Sequence, residues 1–209
     1  MANWITVKHE DAPDQIRMCI DRMEWLLGHF EVSCWIAGGA IRSFMSGGGR
    51  TDRDIYFRNM EDFEKAKKRV IDSKELDARV IHEGANVLKL NTTLGLIDLV
   101  KRTYASPQEC IQQFDFTVVC AAVEKGAKEF LHHESFFIDL AARRLVINSL
   151  PYPLSTLQRL QKYIKAGFTI CNGGLLQIAQ AIQKIDFSNP ASNHLEYYPD
   201  GTPKFVRID

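Results

Sequence analysis

The 209-residue chain carries 26 basic and 26 acidic side chains, so its formal net charge at pH 7 is zero. Apolar residues make up 45% and charged residues 25% of it, as in ordinary globular proteins. These values exclude the overall basic excess typical of proteins that grip long nucleic acids, and no apolar run reaches the ~18 residues of a membrane span. We therefore expect a cytoplasmic protein with no membrane partner, built as one domain or as one domain with a small appendage.

Cysteine and histidine usage gives no indication of a zinc site. No CxxC pair or Cys/His spacing of the zinc-binding kind occurs, and the odd number of cysteines argues against a disulfide framework. We expect buried thiols in a reducing compartment. The adjacent His132 and His133 point in different directions on any regular element, so they are expected to be surface histidines. The cysteines are Cys19, Cys34, Cys110, Cys120 and Cys171.

The N-terminal third is expected to alternate helices and strands. Apolar residues recur at helical spacing over residues 12–30, which predicts an amphipathic helix that Asp11 or Asp14 could cap. The short apolar run 34–37 predicts a strand. A Gly-Gly turn, a short helix over residues 40–45, a glycine loop and a strand over residues 52–58 follow.

Two features of this stretch indicate phosphate and metal chemistry. Asp52 and Asp54 lie two residues apart on a predicted strand, so both carboxylates point to the same face and suit a divalent cation. A glycine turn at Gly38 and Gly39 before a helix lets backbone N–H groups approach phosphate oxygens. Together they predict a site for a metal-bound nucleoside triphosphate.

The same stretch resembles the nucleotide-binding motif of the DNA polymerase β-type nucleotidyltransferase superfamily. It is most similar to the head domain of class II CCA-adding enzymes and bacterial poly(A) polymerases, whose pattern runs GGAVRD and then DIDI. Residues 38–42 match GGAVR and residues 52–55 match DIDI, while Ser43 replaces the aspartate after the arginine. The resemblance implies an α+β fold with a mixed sheet and flanking helices. It also implies that the triphosphate is held by Gly38, Gly39 and Arg42.

The middle of the chain is expected to contain one charged helix and three strands. The helix covers residues 61–72, and its lysines could touch nucleic acid or form a solvated face with the preceding acids. The strands cover residues 78–81, 85–90 and 94–100, with a hairpin turn at residues 91–93.

Asp98 lies alone within the apolar run Leu-Ile-Asp-Leu-Val. Such a carboxylate is costly to bury unless it is paired or binds a cation, although the exposed side of an edge strand would also accommodate it. The resemblance implies a third metal-binding carboxylate on the strand beside Asp-x-Asp, and Asp98 fits that position. Asp52, Asp54 and Asp98 are then the expected catalytic ligands of two Mg²⁺ ions, with Mn²⁺ as a substitute.

The nucleotide contacts implied downstream are less complete. A Ser-Pro pair predicts a helix at residues 106–112. Residues 115–117 match the family's DFT, which implies that Asp115 contacts the nucleotide. A further helix, over residues 153–170, aligns without a gap to the family helix that reads the base. Its arginine positions are Ser155, Gln158 and Gln161, so Gln158 and Gln161 could hydrogen-bond a base or face solvent.

The implied domains are a nucleotidyltransferase head over residues 1–150 and a helical, neck-like segment and tail over residues 151–209. The implied activity moves a nucleoside monophosphate from a nucleoside triphosphate, such as ATP, to an acceptor hydroxyl and releases pyrophosphate. RNA or tRNA 3′ ends, protein side chains and small metabolites remain candidate acceptors. The neutral charge argues against a complete CCA-adding enzyme. The alternative is a catalytically inactive nucleotide-binding or interaction protein on the same fold.

Overall fold

A computed structural model of the chain describes residues 3–48, 51–186, 196–197 and 203–204. Its main feature is an eight-stranded mixed sheet with the order β1-β8-β7-β2-β3-β6-β5-β4. Most neighbouring strands are antiparallel, whereas β3 and β6 are parallel. The strands are β1 (Trp4–Lys8), β2 (Cys34–Ala37), β3 (Arg53–Phe57), β4 (Arg79–Glu83), β5 (Val87–Thr92), β6 (Gly95–Val100), β7 (Ala121–Glu124) and β8 (Glu129–His133).

Helices cover the two faces of the sheet unequally. The helices are α1 (Asp14–Leu27), α2 (Gly39–Met45), α3 (Met60–Asp72), α4 (Pro107–Gln112), α5 (Phe136–Ala141), α6 (Pro153–Lys165) and α7 (Asn172–Gln183). The apolar sides of α1, α2 and α3 pack with sheet residues such as Ile36 and Ile55 in the main core. A smaller core, which includes Trp35 and residues of α4, lies on the opposite face because strand side chains alternate. Asp52, Asp54 and Asp98 alternate along the chain with main-core residues such as Ile55 and Ile97, so they belong to this second face, which fewer helices cover.

The predicted elements from α1 to α4 are confirmed, with boundary shifts of a few residues. Asn59 and Ser106 cap α3 and α4 by accepting backbone N–H bonds from Asp62 and Glu109. The N-cap of α1 is Pro13 without a side-chain cap, so neither aspartate predicted to cap this helix does so. The β5–β6 turn falls at residues 93–94, because β5 extends through Thr92.

The prediction that His132 and His133 are surface residues is wrong. Both are buried, because their side chains project from the two faces of β8 onto aromatic residues of α5 and β1. Strands β1, β7 and β8 lack the strong alternation of apolar and polar residues that would predict them from the sequence. His132 packs edge-on against Phe137, and His133 packs edge-on against Trp4.

Four of the five cysteines are buried thiols, as expected, but Cys171 is exposed. Its sulfur accepts the Gly174 N–H at 3.4 Å and so caps the start of α7, which keeps it at the surface. The charged helix α3 has an exposed face with ion pairs such as Lys65–Glu61 at 2.7 Å, so the predicted pairing of its lysines with the preceding acids is present. The contact of these lysines with nucleic acid stays a prediction.

After the sheet, a short parallel pair joins β9 (Arg144–Leu145) and β10 (Thr169–Ile170), with α6 between them. Leu160 and Tyr163 of α6 are buried in the main core. Most of the predicted tail after residue 186 lies outside the described residues, except for a small antiparallel pair, β11 (Glu196–Tyr197) and β12 (Pro203–Lys204). In the described part of the chain, no helix has the length and apolar character needed to cross a membrane.

Candidate functional site

The structure brings the predicted carboxylates together through strand pairing. Asp54 on β3 lies directly opposite Asp98 on β6, in register. Asp52 precedes β3 by one residue and is partly buried. Asp98 is only 6% exposed, and β6 lies inside the sheet between β3 and β5. The alternative of an exposed carboxylate on an edge strand is therefore wrong for Asp98.

A lysine that the sequence analysis missed lies between two of these carboxylates. Lys89 on β5 is opposite Asp98 in the β5–β6 register. Its Nζ is 2.9 Å from Asp98 Oδ2 and 3.3 Å from Asp52 Oδ2. The sequence signal was available, since Lys89 interrupts an apolar strand just as Asp98 does. Pairing the two requires the β5–β6 register.

Burial and the crowding of negative charge raise the pKa values of Asp54 and Asp98. The pKa of Asp54 is raised from 3.8 to about 7, first by burial and then by the charges of Asp98 and Asp52. Lys89 and Lys162 act in the opposite direction. Burial also raises the pKa of Asp98, which the hydrogen bond from Lys89 partly offsets. The face therefore has the electrostatic character of a cation-binding site.

Three carboxylates are the oxygen donors that Mg²⁺ and Mn²⁺ prefer, so the donor set fits these ions in type and in face. The side-chain arrangement does not enclose an ion. Among the described residues, no three His, Cys, Asp or Glu side chains form a group that could hold one. Lys89 takes up the space between Asp52 and Asp98. The metal-ligand role of the three aspartates stays a prediction.

The glycine turn that precedes α2 is tightly built. Gly38 has φ +81°, and a Cβ there would lie 3.2 Å from the Phe114 ring, so both the backbone conformation and the close contact favour glycine. A Cβ on Gly39 would meet nothing within 4 Å, so the backbone of the turn is open to an approaching group. The nearby Gly49 and Arg50 lie outside the described residues.

Arg42 points from α2 towards α6. Its guanidinium carbon lies 5.0 Å from the centre of the Tyr163 ring and 5.8 Å from that of Phe168. The Nε atom is buried and has no hydrogen-bond partner within the described chain. The structure thus places Arg42 between α2 and α6, with a buried donor that a ligand could satisfy.

Asp115 is bound by an arginine that the sequence analysis also missed. Its Oδ2 is 2.5 Å from Arg159 Nε, and its Oδ1 accepts the Phe116 N–H at 3.0 Å. Both carboxylate oxygens are therefore engaged within the protein. The predicted contact of Asp115 with a nucleotide stays a prediction.

Helix α6 carries two positively charged residues near the site, each one position after an arginine position of the resembled helix. Arg159 and Lys162 directly follow the predicted base-reading positions Gln158 and Gln161, and one residue rotates a side chain by about 100° around a helix. Lys162 lowers the pKa of Asp54 through its charge. Gln158 and Gln161 are exposed, so the structure leaves their contact with a base a prediction.

Comparison with solved structures shows the fold. A CCA-adding enzyme solved with ATP superposes with a TM-score of 0.58 at 15% identity, covering 88% of this chain and 47% of that one. The Thermotoga maritima CCA-adding enzyme solved with tRNA gives 0.57 at 15% identity, covering 86% and 46%. A complex with CTP gives 0.57 at 16% identity, again covering 86% and 46%. The expected head-domain fold is confirmed, and the chain spans less than half the length of these enzymes.

A search of curated proteins found no match to this sequence. A protein-family model does match. It covers residues 10–143, which is more than half of the chain and includes the glycine turn, all three aspartates and Lys89. The chain belongs to the Gabija anti-defense 2 family.

Proposed function

We propose that this protein is a metal-dependent nucleotidyltransferase that moves a nucleoside monophosphate from a nucleoside triphosphate to an acceptor hydroxyl. The observation that carries this proposal is the in-register pair Asp54–Asp98, with Asp52 beside it, on the less covered face of the sheet. The glycine turn that begins α2 follows the neighbouring strand β2. The fold is shared with enzymes solved with ATP and with CTP, which supports a triphosphate substrate.

In this proposal Asp52, Asp54 and Asp98 hold the divalent cation. When bound, Mg²⁺ lowers the pKa of an acceptor hydroxyl and stabilises negative charge on the departing pyrophosphate. The acceptor oxygen forms a bond to the α-phosphorus while the bond from that phosphorus to the bridging oxygen of the β-phosphate breaks. The hydroxyl proton passes to solvent. The chain contributes mainly by positioning the reactants.

The triphosphate would be held from two sides. The open backbone of Gly38 and Gly39 approaches the phosphates, and Arg42 brings a buried N–H that has no other described partner. From α6, Arg159 adds positive charge in an orientation fixed by Asp115. Arg159 would thus supply positive charge in place of the arginines that the resembled helix has at the positions of Gln158 and Gln161.

The acceptor that we propose is a hydroxyl required by the Gabija defence, since the family's description names an anti-defense role against it. One solved neighbour is described with tRNA, which makes an RNA 3′ end the first candidate. Protein hydroxyls and metabolites are the other candidates. The neutral charge of the chain gives no preference for a long nucleic acid.

The test is label transfer. The protein is incubated with each α-³²P-labelled nucleoside triphosphate, Mg²⁺ and lysate from cells with or without Gabija. Denaturing gels and thin-layer chromatography then separate labelled RNA, protein and small molecules. We expect label and pyrophosphate release that Asp54→Asn lowers by at least ~100-fold, because the substitution removes a cation ligand. Asp72→Asn, an exposed change on α3, is the matched control.

The second candidate function is nucleotide binding without transfer. Lys89 between Asp52 and Asp98 is the observation that favours it, since it leaves no enclosed metal position among the described side chains. Nucleotide binding by a correctly folded protein, without labelled product or pyrophosphate from any triphosphate, would overturn transfer and support this candidate.

A further inference from the structure

We propose that Lys89 is the built-in counter-ion of the carboxylate site and competes with a divalent cation for Asp52 and Asp98. This inference rests on the proposed metal-dependent function and deepens it. It makes Lys89 a positioning residue that sets how readily the site takes up metal. Its ammonium group must turn aside before an ion bridges these two carboxylates.

The position of Lys89 is fixed by the sheet. It lies opposite Asp98 in the β5–β6 register, and its neighbours Leu88 and Leu90 are fully buried in the main core. Because side chains alternate along a strand, Lys89 must point to the carboxylate face. The pairing with Asp98 is thus a property of the fold and not of a loop.

The contacts show one ammonium group shared by two acids. Lys89 Nζ lies 2.9 Å from Asp98 Oδ2 and 3.3 Å from Asp52 Oδ2. A divalent ion bridging the same oxygens would have to lie within a few ångströms of this nitrogen. Two cations at that separation repel each other strongly in a partly buried site, so they cannot share the oxygens.

Exposure indicates how the exchange takes place. The Lys89 side chain is 34% exposed, whereas that of Asp98 is 9% exposed. The lysine tip can therefore swing towards solvent while Asp98 stays in place on β6. Once the lysine has moved, the carboxylate oxygens that it contacted are left to a divalent ion.

Another lysine on the same sheet supplies the comparison. Lys101 follows β6, and its Nζ lies 3.2 Å from Glu83, outside the carboxylate site. The Lys101 side chain is 23% exposed, so the two lysines have similar burial but different partners. Lys101→Met is therefore a matched control for Lys89→Met.

The experiment measures Mn²⁺ binding without nucleotide, by the electron paramagnetic resonance signal of free Mn²⁺. We expect Lys89→Met to bind Mn²⁺ about tenfold more tightly than the unaltered protein, within the range by which groups contacting metal ligands change affinity. Lys101→Met should bind like the unaltered protein. Lys89→Gln serves as a second variant, because its amide keeps a polar contact if the methionine variant folds poorly.

A second readout is thermal unfolding in EDTA and in Mn²⁺. Removing the ammonium leaves the acids facing each other, so Lys89→Met should lose thermal stability in EDTA and regain it with Mn²⁺. Lys101→Met should show neither change.

The outcomes separate the two proposals. If the unaltered protein binds Mn²⁺ but both Lys89 variants bind it equally or more weakly, the competition is refuted and the transferase proposal stands. If no variant binds Mn²⁺ at all, the metal site itself is refuted, and the competition with it.

Discussion

Asp139 and Asp54 are two inward-facing acids whose surroundings differ in sign. Asp139 is fully buried on α5, where Thr117 Oγ1 donates to its Oδ2 at 2.6 Å. Arg144 donates to its Oδ1 from Nε at 2.9 Å and from Nη2 at 2.5 Å. Asp54 instead faces Asp98 and Asp52, and its pKa rises to about 7.

The difference is the one expected between a structural acid and the functional acid that we propose at Asp54. Around Asp139 the fold supplies donors to both oxygens, so the carboxylate stabilises the junction of α5 and β9. Around Asp54 the fold supplies further negative charge, which costs stability unless a ligand neutralises it. Proteins retain such unfavourable arrangements mainly where a site requires them. The contrast supports the proposed cation contact of Asp54 and suggests none for Asp139.

The largest effect on stability is expected at Asp139. Asp139→Asn removes the charge that holds Arg144 and turns an amide towards existing donors, so the free energy of unfolding should fall by about 2–4 kcal/mol. Urea denaturation measures this, with Asp72→Asn as the exposed control. A variant as stable as the control would show that the buried network contributes little, and the contrast with Asp54 would fail.

At Asp54 the same substitution should act in the opposite direction. Because its folded pKa is raised from 3.8 to about 7, the contribution of Asp54 to stability is present below about pH 4 and is lost as pH rises through 7. In EDTA at pH 8, Asp54→Asn should therefore raise the free energy of unfolding, on the order of 1–2 kcal/mol.

The measurement is denaturation at pH 4 and pH 8, with and without Mg²⁺. The difference between Asp54→Asn and the unaltered protein should be small at pH 4 and larger at pH 8. Added Mg²⁺ should stabilise the unaltered protein more than the variant. A variant that is less stable at pH 8 in EDTA would make Asp54 a structural acid like Asp139.

The fold could be predicted from the sequence where the pattern is strong. The spacing of apolar residues in α1 and α3, and the Ser106-Pro107 start of α4, are local signals that survive in the folded chain. Strands β1, β7 and β8 could not be found in this way. Their short segments depend on partners far along the chain, such as Trp4 opposite His133.

The site likewise contains residues that the sequence predicts and residues that it does not. The carboxylates could be found, because Asp52 and Asp54 have strand spacing and Asp98 interrupts an apolar run. The cationic side chains that contact the acids of the site could not be assigned to them from the sequence. The contact of Lys89 with Asp98 depends on β-strand register, and that of Arg159 with Asp115 depends on the packing of α6. The match to the family helix without a gap predicts a nucleotide contact at Gln158, whereas the charged residue is the next one, Arg159.

The smallest effect is expected at Asp115, which is intermediate between the two acids compared above. It has one cation, Arg159, and one backbone donor, the Phe116 N–H. Asparagine can keep the second contact through its one amide oxygen but loses the first, because its NH2 group cannot accept from Arg159. Asp115→Asn should therefore cost about 1 kcal/mol of stability, the contribution of one hydrogen bond. Its main consequence should be a looser Arg159 and a roughly tenfold or greater loss of affinity for nucleoside triphosphate, because one charge-assisted contact contributes about 1.5–3 kcal/mol. Fluorescence titration with a labelled ATP analogue measures this, and Arg159→Gln should give the same loss. If both variants bind the analogue as tightly as the unaltered protein, the pair only anchors α6 and belongs with Asp139 among the structural acids.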